Sequence, residues 1–250
     1  MTTADDVAAR AEARFDATLT RLTGYLRYPA ISCEPERARD VRALAERIAD
    51  DLGALGMDRA RLLELDGALP CVAAERLRCP GAPTVLVYGH LDLQPVAGEA
   101  WDSPPHEASA RDGRLYARGA ADNMGGWVSH LAANEAWLEV ADELPVNIRL
   151  LIEGEEEIGS PNLLRYMDAY PDAFEADVMV LTDCENPSTD VPGLTVSLRG
   201  LMDVEVHCAS MAADVHSGLW GNAIPDPAIA LMQLVARLVD EDGRLKHGRV

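Results

Sequence analysis

Three hydrophobic runs in this chain each end on a residue type that binds metals. Thr84-Val85-Leu86-Val87-Tyr88-Gly89 runs into His90, and Asn147-Ile148-Arg149-Leu150-Leu151-Ile152 into Glu153-Gly154-Glu155-Glu156-Glu157. Asp177-Val178-Met179-Val180-Leu181-Thr182 runs into Asp183. Short runs rich in β-branched residues and leucine read as strands buried on both faces. In an open α/β sheet, function collects outside the carboxyl ends of parallel strands. One histidine and several carboxylates on such an edge form a hard N/O donor set suited to zinc, manganese or cobalt.

The connections between the runs read as helices. Gly125 to Val140 carries Trp127, Val128, Leu131, Trp137 and Leu138 at near-helical spacing. Asp122 stands before it, where a carboxylate is favoured by exposed amides and the dipole. Ser160 is expected to cap a second helix reaching about Tyr170, with Pro161 at its first position. Strand, helix, strand, helix, strand implies a largely parallel core. His90, Asp122, Glu156, Glu157 and Asp183 then converge on one rim.

Upstream, helices are expected over about Asp5–Leu26 and Pro35–Leu55, and strands at Arg61–Leu65 and Cys71–Leu77. Leu91 to Ala117 is a long, turn-rich excursion, a kind of segment that is commonly functional. From Leu201 to Cys208, Asp203, Glu205 and His207 alternate with Val204, Val206 and Cys208, the pattern of a half-exposed strand. A helix over about Pro227–Val239 and a turn at Asp242-Gly243-Arg244 follow.

Composition narrows the function classes. The 250 residues include 22 Lys plus Arg against 42 Asp plus Glu, a net charge of −20. That balance repels nucleic acid and anionic membranes, so neither is an expected partner. Five cysteines without CxxC spacing, a polar Met1–Arg10 and no run of transmembrane length fit a cytoplasmic protein with free thiols.

Gly89-His90-Leu91-Asp92 sets His and Asp two apart, so that the carboxylate can accept the imidazole's other N–H and fix its tautomer. Further on come Trp101, then Asp112-Gly113-Arg114-Leu115-Tyr116-Ala117-Arg118-Gly119-Ala120-Ala121-Asp122-Asn123, then Glu153-Gly154-Glu155-Glu156-Glu157-Ile158-Gly159-Ser160. This ordered set, spanning roughly Tyr25 to the C-terminus, closely resembles the co-catalytic dizinc exopeptidase family. That family contains carnosinases and related cytosolic dipeptidases, aminoacylases, and acetylornithine and succinyl-diaminopimelate deacylases.

The resemblance implies an α/β fold with a mostly parallel sheet flanked by helices. Residues 1–190 then belong to the catalytic domain, and 191–250 begin a smaller α+β lid. It implies two zinc ions, with manganese or cobalt as substitutes. His90 and Asp183 serve the first metal, with Asp92 behind His90; Asp122 bridges both, and Glu157 serves the second. Glu156 becomes the general base, and Glu155 falls at the variable position. A cis peptide is expected between Asp122 and Asn123. Met124 departs from the lysine often found there.

Asp214-Val215-His216-Ser217-Gly218 matches the lid segment of the dipeptidase branch. There the histidine stabilises the tetrahedral intermediate, often in a neighbouring subunit's site. This implies a homodimer through the lid, by way of the Leu201–Cys208 edge, with Asp214 orienting His216. The expected substrate is a dipeptide or short peptide; deacylation of N-acyl amino acids, or metal binding and dimerisation without activity, are the alternatives. The family's return to its catalytic domain, which supplies a second-metal histidine and contacts to the substrate's carboxylate, has no counterpart within these 250 residues, which read as part of a longer sequence or as a natural truncation. His247 falls too early for that role.

Overall fold

The structure is a computed structural model that describes residues 3–189 and 191–246, which leaves His247 outside. These residues divide into two compact units between Gly193 and Leu194. In the first unit the opening helical stretch is two helices, α1 (Ala4–Ala13) and α2 (Phe15–Leu26), interrupted at Arg14. A 3₁₀ turn at Pro35–Arg37 leads into α3 (Ala38–Ala54). The amphipathic period of α3 buries Val41, Leu44, Ala45, Ile48, Ala49 and Leu52 on one face.

Strands β1 (Asp58–Leu63), β2 (Cys71–Arg76) and β3 (Thr84–His90) follow, within a residue or three of the expected bounds for the first two. Two short strands, β4 (Ser109–Arg111) and β5 (Arg114–Tyr116), form a hairpin inside the long excursion. Asp112 and Gly113 form its turn with φ of 50° and 73°, the positive pair that favours Asp-Gly. Next come α4 (Met124–Ala141), β6 (Asn147–Glu153), α5 (Leu163–Ala169), α6 (Pro171–Phe174) and β7 (Val178–Leu181).

The five-stranded sheet has the order β1-β2-β6-β3-β7. β3 is parallel to β6 and β7, whereas β1 with β2 and β2 with β6 are antiparallel. The parallel half therefore holds all three motif strands. The next two strands of that half lie on opposite flanks of β3, which makes its carboxyl end a topological switch point. Tyr88 is level with both Leu151 and Leu181. Two residues further, His90, Glu153 and Asp183 all leave the same edge.

Both faces of β2, β3 and β6 are covered, whereas β7 is not buried as its hydrophobic run suggested: it lies at the sheet edge, with Val178, Met179 and Leu181 exposed. Val72, Ala74, Val87, Ile148, Leu150 and Ile152 pack with Leu26, Leu44, Trp127 and Leu131. The alternate positions Cys71, Ala73, Leu86 and Leu151 pack with Tyr166 and Ala173. The period of two along each strand explains why these runs are hydrophobic throughout.

Two helix starts differ from expectation. The N-cap of α4 is Asn123 rather than Asp122, and no side chain caps it. Ser160 does not cap a helix: it takes φ 52° after Gly159 at 85°, and α5 begins behind Asn162. The turn after β6 occupies these residues instead.

In the second unit, α7 (Ser217–Trp220) and α8 (Pro227–Val235) are the helices among the described residues. Asp226 caps α8 and Pro227 opens it. Leu201–Cys208 is not a strand; Leu201 is 87% and Val204 66% exposed. Its alternation was suited to a sheet face, but a strand needs a hydrogen-bonded neighbour, and the described residues of this unit supply none.

Candidate metal centre

The site is assembled around one nitrogen. His90 ends β3 with its side chain fully buried. Its Nε2 lies 3.1 Å from Asp122 Oδ1, 3.3 Å from Asp183 Oδ2 and 4.0 Å from Glu156 Oε2. One donor atom from each of His90, Asp122 and Glu157 lies within 4.8 Å of the others, and the same holds for His90, Glu156 and Asp183. Both glutamates thus reach the same imidazole, and spacing alone does not separate a base from a ligand. The Asp122-Asn123 peptide is cis, as the resemblance implied.

The His-x-Asp motif works differently from its sequence reading. His90 Nδ1 is 3.1 Å from the main-chain oxygen of Asp92 and 3.6 Å from its carboxylate, so the backbone carbonyl is the nearer acceptor. The buried Asp92 carboxylate instead accepts the amides of Glu156 (3.2 Å) and Glu157 (3.0 Å). Asp92 therefore ties the end of β3 to the turn after β6.

Three supporting residues were given no role in holding the site by sequence. Asn123, fully buried, accepts the His90 amide at Oδ1 (3.1 Å). Trp127 donates its indole N–H to the His90 carbonyl at 2.9 Å. Both stand at the start of α4, so that helix pins each side of the histidine's backbone. Gln94 donates to Glu157 Oε2 at 2.7 Å. The adjacency of Asn123 to Asp122, and of Gln94 to the His-x-Asp motif, is the only signal the sequence carries for them.

Charge shows what the donor set requires. Burial alone pulls the His90 imidazolium down, but Asp92, Asp183 and Glu156 together raise its pKa to about 9. Burial first, and then the Glu157 and Asp183 carboxylates, push Glu156 upward against the pull of His90. Burial and Asp122 do the same to Glu157, against the hydrogen bond from Gln94. Carboxylates crowded beside one imidazole repel one another unless a cation stands among them. Nitrogen and carboxylate oxygen, with no thiolate in either group, suit a hard or borderline divalent ion. The residues fit a divalent metal.

Residues 86–243 match Peptidase family M20/M25/M40. The chain belongs to that family. Among M20 relatives, it is 35% identical over 215 residues to the cysteinylglycine-S-conjugate dipeptidase of Corynebacterium striatum, covering 84% of this chain and 46% of the relative. To the human beta-Ala-His dipeptidase it is 35% identical over 214 residues, 83% and 41% of the two chains. The solved di-peptidase Dug1p of Saccharomyces cerevisiae superposes with a TM-score of 0.75 at 26% identity, over 96% of this chain and 53% of that one. The M20 metallo-carboxypeptidase Sso-CP2 of Sulfolobus solfataricus gives 0.74 at 31%, over 91% and 51%. The chain spans about half the length of the curated relatives it matches.

His216, the remaining expected site residue, belongs to the second unit. It caps α7, its Nδ1 accepting from the Gly218 amide at 3.0 Å. Among the described residues no hydrogen bond joins it to Asp214. No helix among the described residues is long and apolar enough to cross a membrane.

Proposed function

We propose that the protein hydrolyses dipeptides or short peptides with zinc as its metal, two ions completing the site. The observation that carries this reading is the convergence of Asp122, Asp183 and Glu156 on His90 Nε2, with Glu157 grouped beside His90 and Asp122, in an M20 chain. His90 and Asp183 would hold one ion, Asp122 would face both, and Glu157 would hold the second. Bound there, zinc supplies Lewis acidity, polarising a carbonyl oxygen and making water nucleophilic near neutral pH.

The chain's own groups supply the rest. Glu156, held through its amide by Asp92, accepts a proton at its carboxylate from water attacking the peptide carbonyl. The same carboxyl then delivers that proton to the leaving amine. Its raised pKa suits both duties, since a base that must become an acid works best near the operating pH. Gln94 holds Glu157 so that the two neighbouring side chains keep different directions. His216 donates to the developing oxyanion.

The named dipeptidases among the relatives favour a peptide over an N-acyl amino acid. A panel of dipeptides beside N-acetyl and N-succinyl amino acids, given to the full-length gene product with zinc or manganese, tests this. Turnover of dipeptides at least tenfold faster is expected; preference for the acyl compounds would make the protein a deacylase.

The same reading places the protein in the cytoplasm and has His216 act across a homodimer. Mixing inactive Glu156→Gln and His216→Ala full-length chains should restore part of the activity. No recovery after demonstrated subunit exchange would assign His216 to its own subunit's site.

A further inference from the structure

The resemblance gives position 155 no role, yet in this chain it holds a buried carboxylate. Glu155 is 4% exposed. Its Oε1 accepts the Leu69 amide at 2.8 Å, and Asn162 Nδ2 donates to Oε1 and Oε2 at 3.1 and 2.8 Å. Arg165 donates to Asn162 Oδ1 at 2.6 Å, which turns the amide's nitrogen toward Glu155. Arg165 and Tyr166 also donate to the carbonyls of Asp66 and Leu69.

A second feature brings the same two segments together. A Cβ on Gly154 would sit 2.5 Å from the Pro70 carbonyl oxygen, a distance only glycine allows. The turn after β6 therefore rests directly on the β1–β2 connection, and Glu155 is the side chain that fastens it. Glu156 and Glu157 come next in the chain, with their amides on Asp92. Asp92's main-chain oxygen faces His90 Nδ1. Glu155 thus holds one end of a short segment whose other contacts lead to the imidazole.

We propose that Glu155 is a positioning residue, whose buried carboxylate fixes the turn that presents Glu156 and Glu157 by locking it to Leu69 and Asn162. The proposal rests on the metal-centre reading given above. A methionine of similar length fills the space without a carboxylate acceptor and leaves the Leu69 amide and the Asn162 Nδ2 without their partner. Glutamine keeps one acceptor oxygen for the Leu69 amide.

The test compares the parent chain with Glu155→Met and Glu155→Gln. Zinc affinity is read by competition with a chromogenic chelator, and the cobalt(II) visible band reports coordination. Residues that orient ligands typically change metal affinity by about 10–100-fold. A loss of that size in Glu155→Met, with an altered cobalt band and most of the affinity recovered in Glu155→Gln, is the expected result. Unchanged affinity in Glu155→Met, or equal losses in both variants, would overturn the proposal. Should Glu155→Met not fold, Asn162→Leu removes one partner and is expected to weaken zinc binding several-fold, unchanged affinity again overturning it. Failure of the parent chain to bind zinc would sink the metal reading instead. Amide hydrogen exchange at Glu156 and Glu157 in the metal-free chain then decides for Glu155: faster exchange in Glu155→Met supports it, and an unchanged rate refutes it.

Discussion

Glu156 and Glu157 are adjacent and identical, and both reach His90, so their proposed division of labour depends on what else each one touches. Glu157 is held by Gln94 at one carboxylate oxygen, whereas the Glu156 carboxylate has no hydrogen-bond donor among the described residues and is not fully buried. Glu156→Gln keeps size and removes the proton acceptor, so zinc should stay bound while turnover falls by about 10²–10⁴-fold. Glu157→Gln weakens a ligand, so its activity should fall with zinc content and recover in part with excess zinc. Metal analysis beside turnover, in the full-length protein, checks both. Zinc lost from Glu156→Gln and kept in Glu157→Gln would exchange the two roles. His90, Asp183 and the Glu153–Glu157 stretch were legible at this scale because they end hydrophobic runs, whereas Asp122 was legible through the resemblance. Asn123, Trp127 and Gln94 were not, since their work appears only when α4 and the long excursion fold back onto β3.

At the scale of elements, α4 couples the ends of β3 and β7. Its first residues pin the His90 backbone, and Gly126 lets the helix approach the residue before Asp183. A Cβ there would lie 2.4 Å from the Thr182 carbonyl oxygen and 3.1 Å from Asn123 Nδ2. Gly126→Ala should therefore push α4 and the end of β7 apart. A loss of about 1–3 kcal/mol is expected from overpacking, together with zinc affinity lowered about tenfold through the displaced carboxylate. Gly24→Ala, in α2 with nothing within 4 Å, is the control and should leave both unchanged or raise stability by up to about 1 kcal/mol. Urea midpoints and zinc competition measure the pair; equal behaviour of the two variants would remove Gly126 from the account. The strands of the parallel core were legible from their β-branched runs. The break at Arg14 was not: the periodic pattern runs on through it, but that guanidinium pairs with Glu135 and Glu139 of α4. Leu201–Cys208 shows the opposite failure, a strand pattern without a partner strand.

For the whole molecule, the excess of acidic groups concentrates cations around the chain, but one imidazole decides whether a metal enters. In the metal-free chain His90 has a folded pKa of about 9 against an ordinary value of 6.5. Its charge therefore contributes stability that is fully present below about pH 6.5 and is lost as pH rises through about 9. Zinc needs the neutral nitrogen and must displace that proton, so its affinity should climb with pH by roughly tenfold per unit for one proton lost. The most direct measurement is a zinc titration of the 250-residue chain by chelator competition from pH 6 to 9, beside His90→Ala. With Asp122 and Asp183 beside His90 but fewer groups for a second ion, we predict one firmly held zinc per chain. Its affinity should rise across that range, and His90→Ala should retain none after dialysis. A parent chain that binds no zinc, an affinity flat between pH 6 and 9, or an undiminished His90→Ala would contradict a metal centre built on His90.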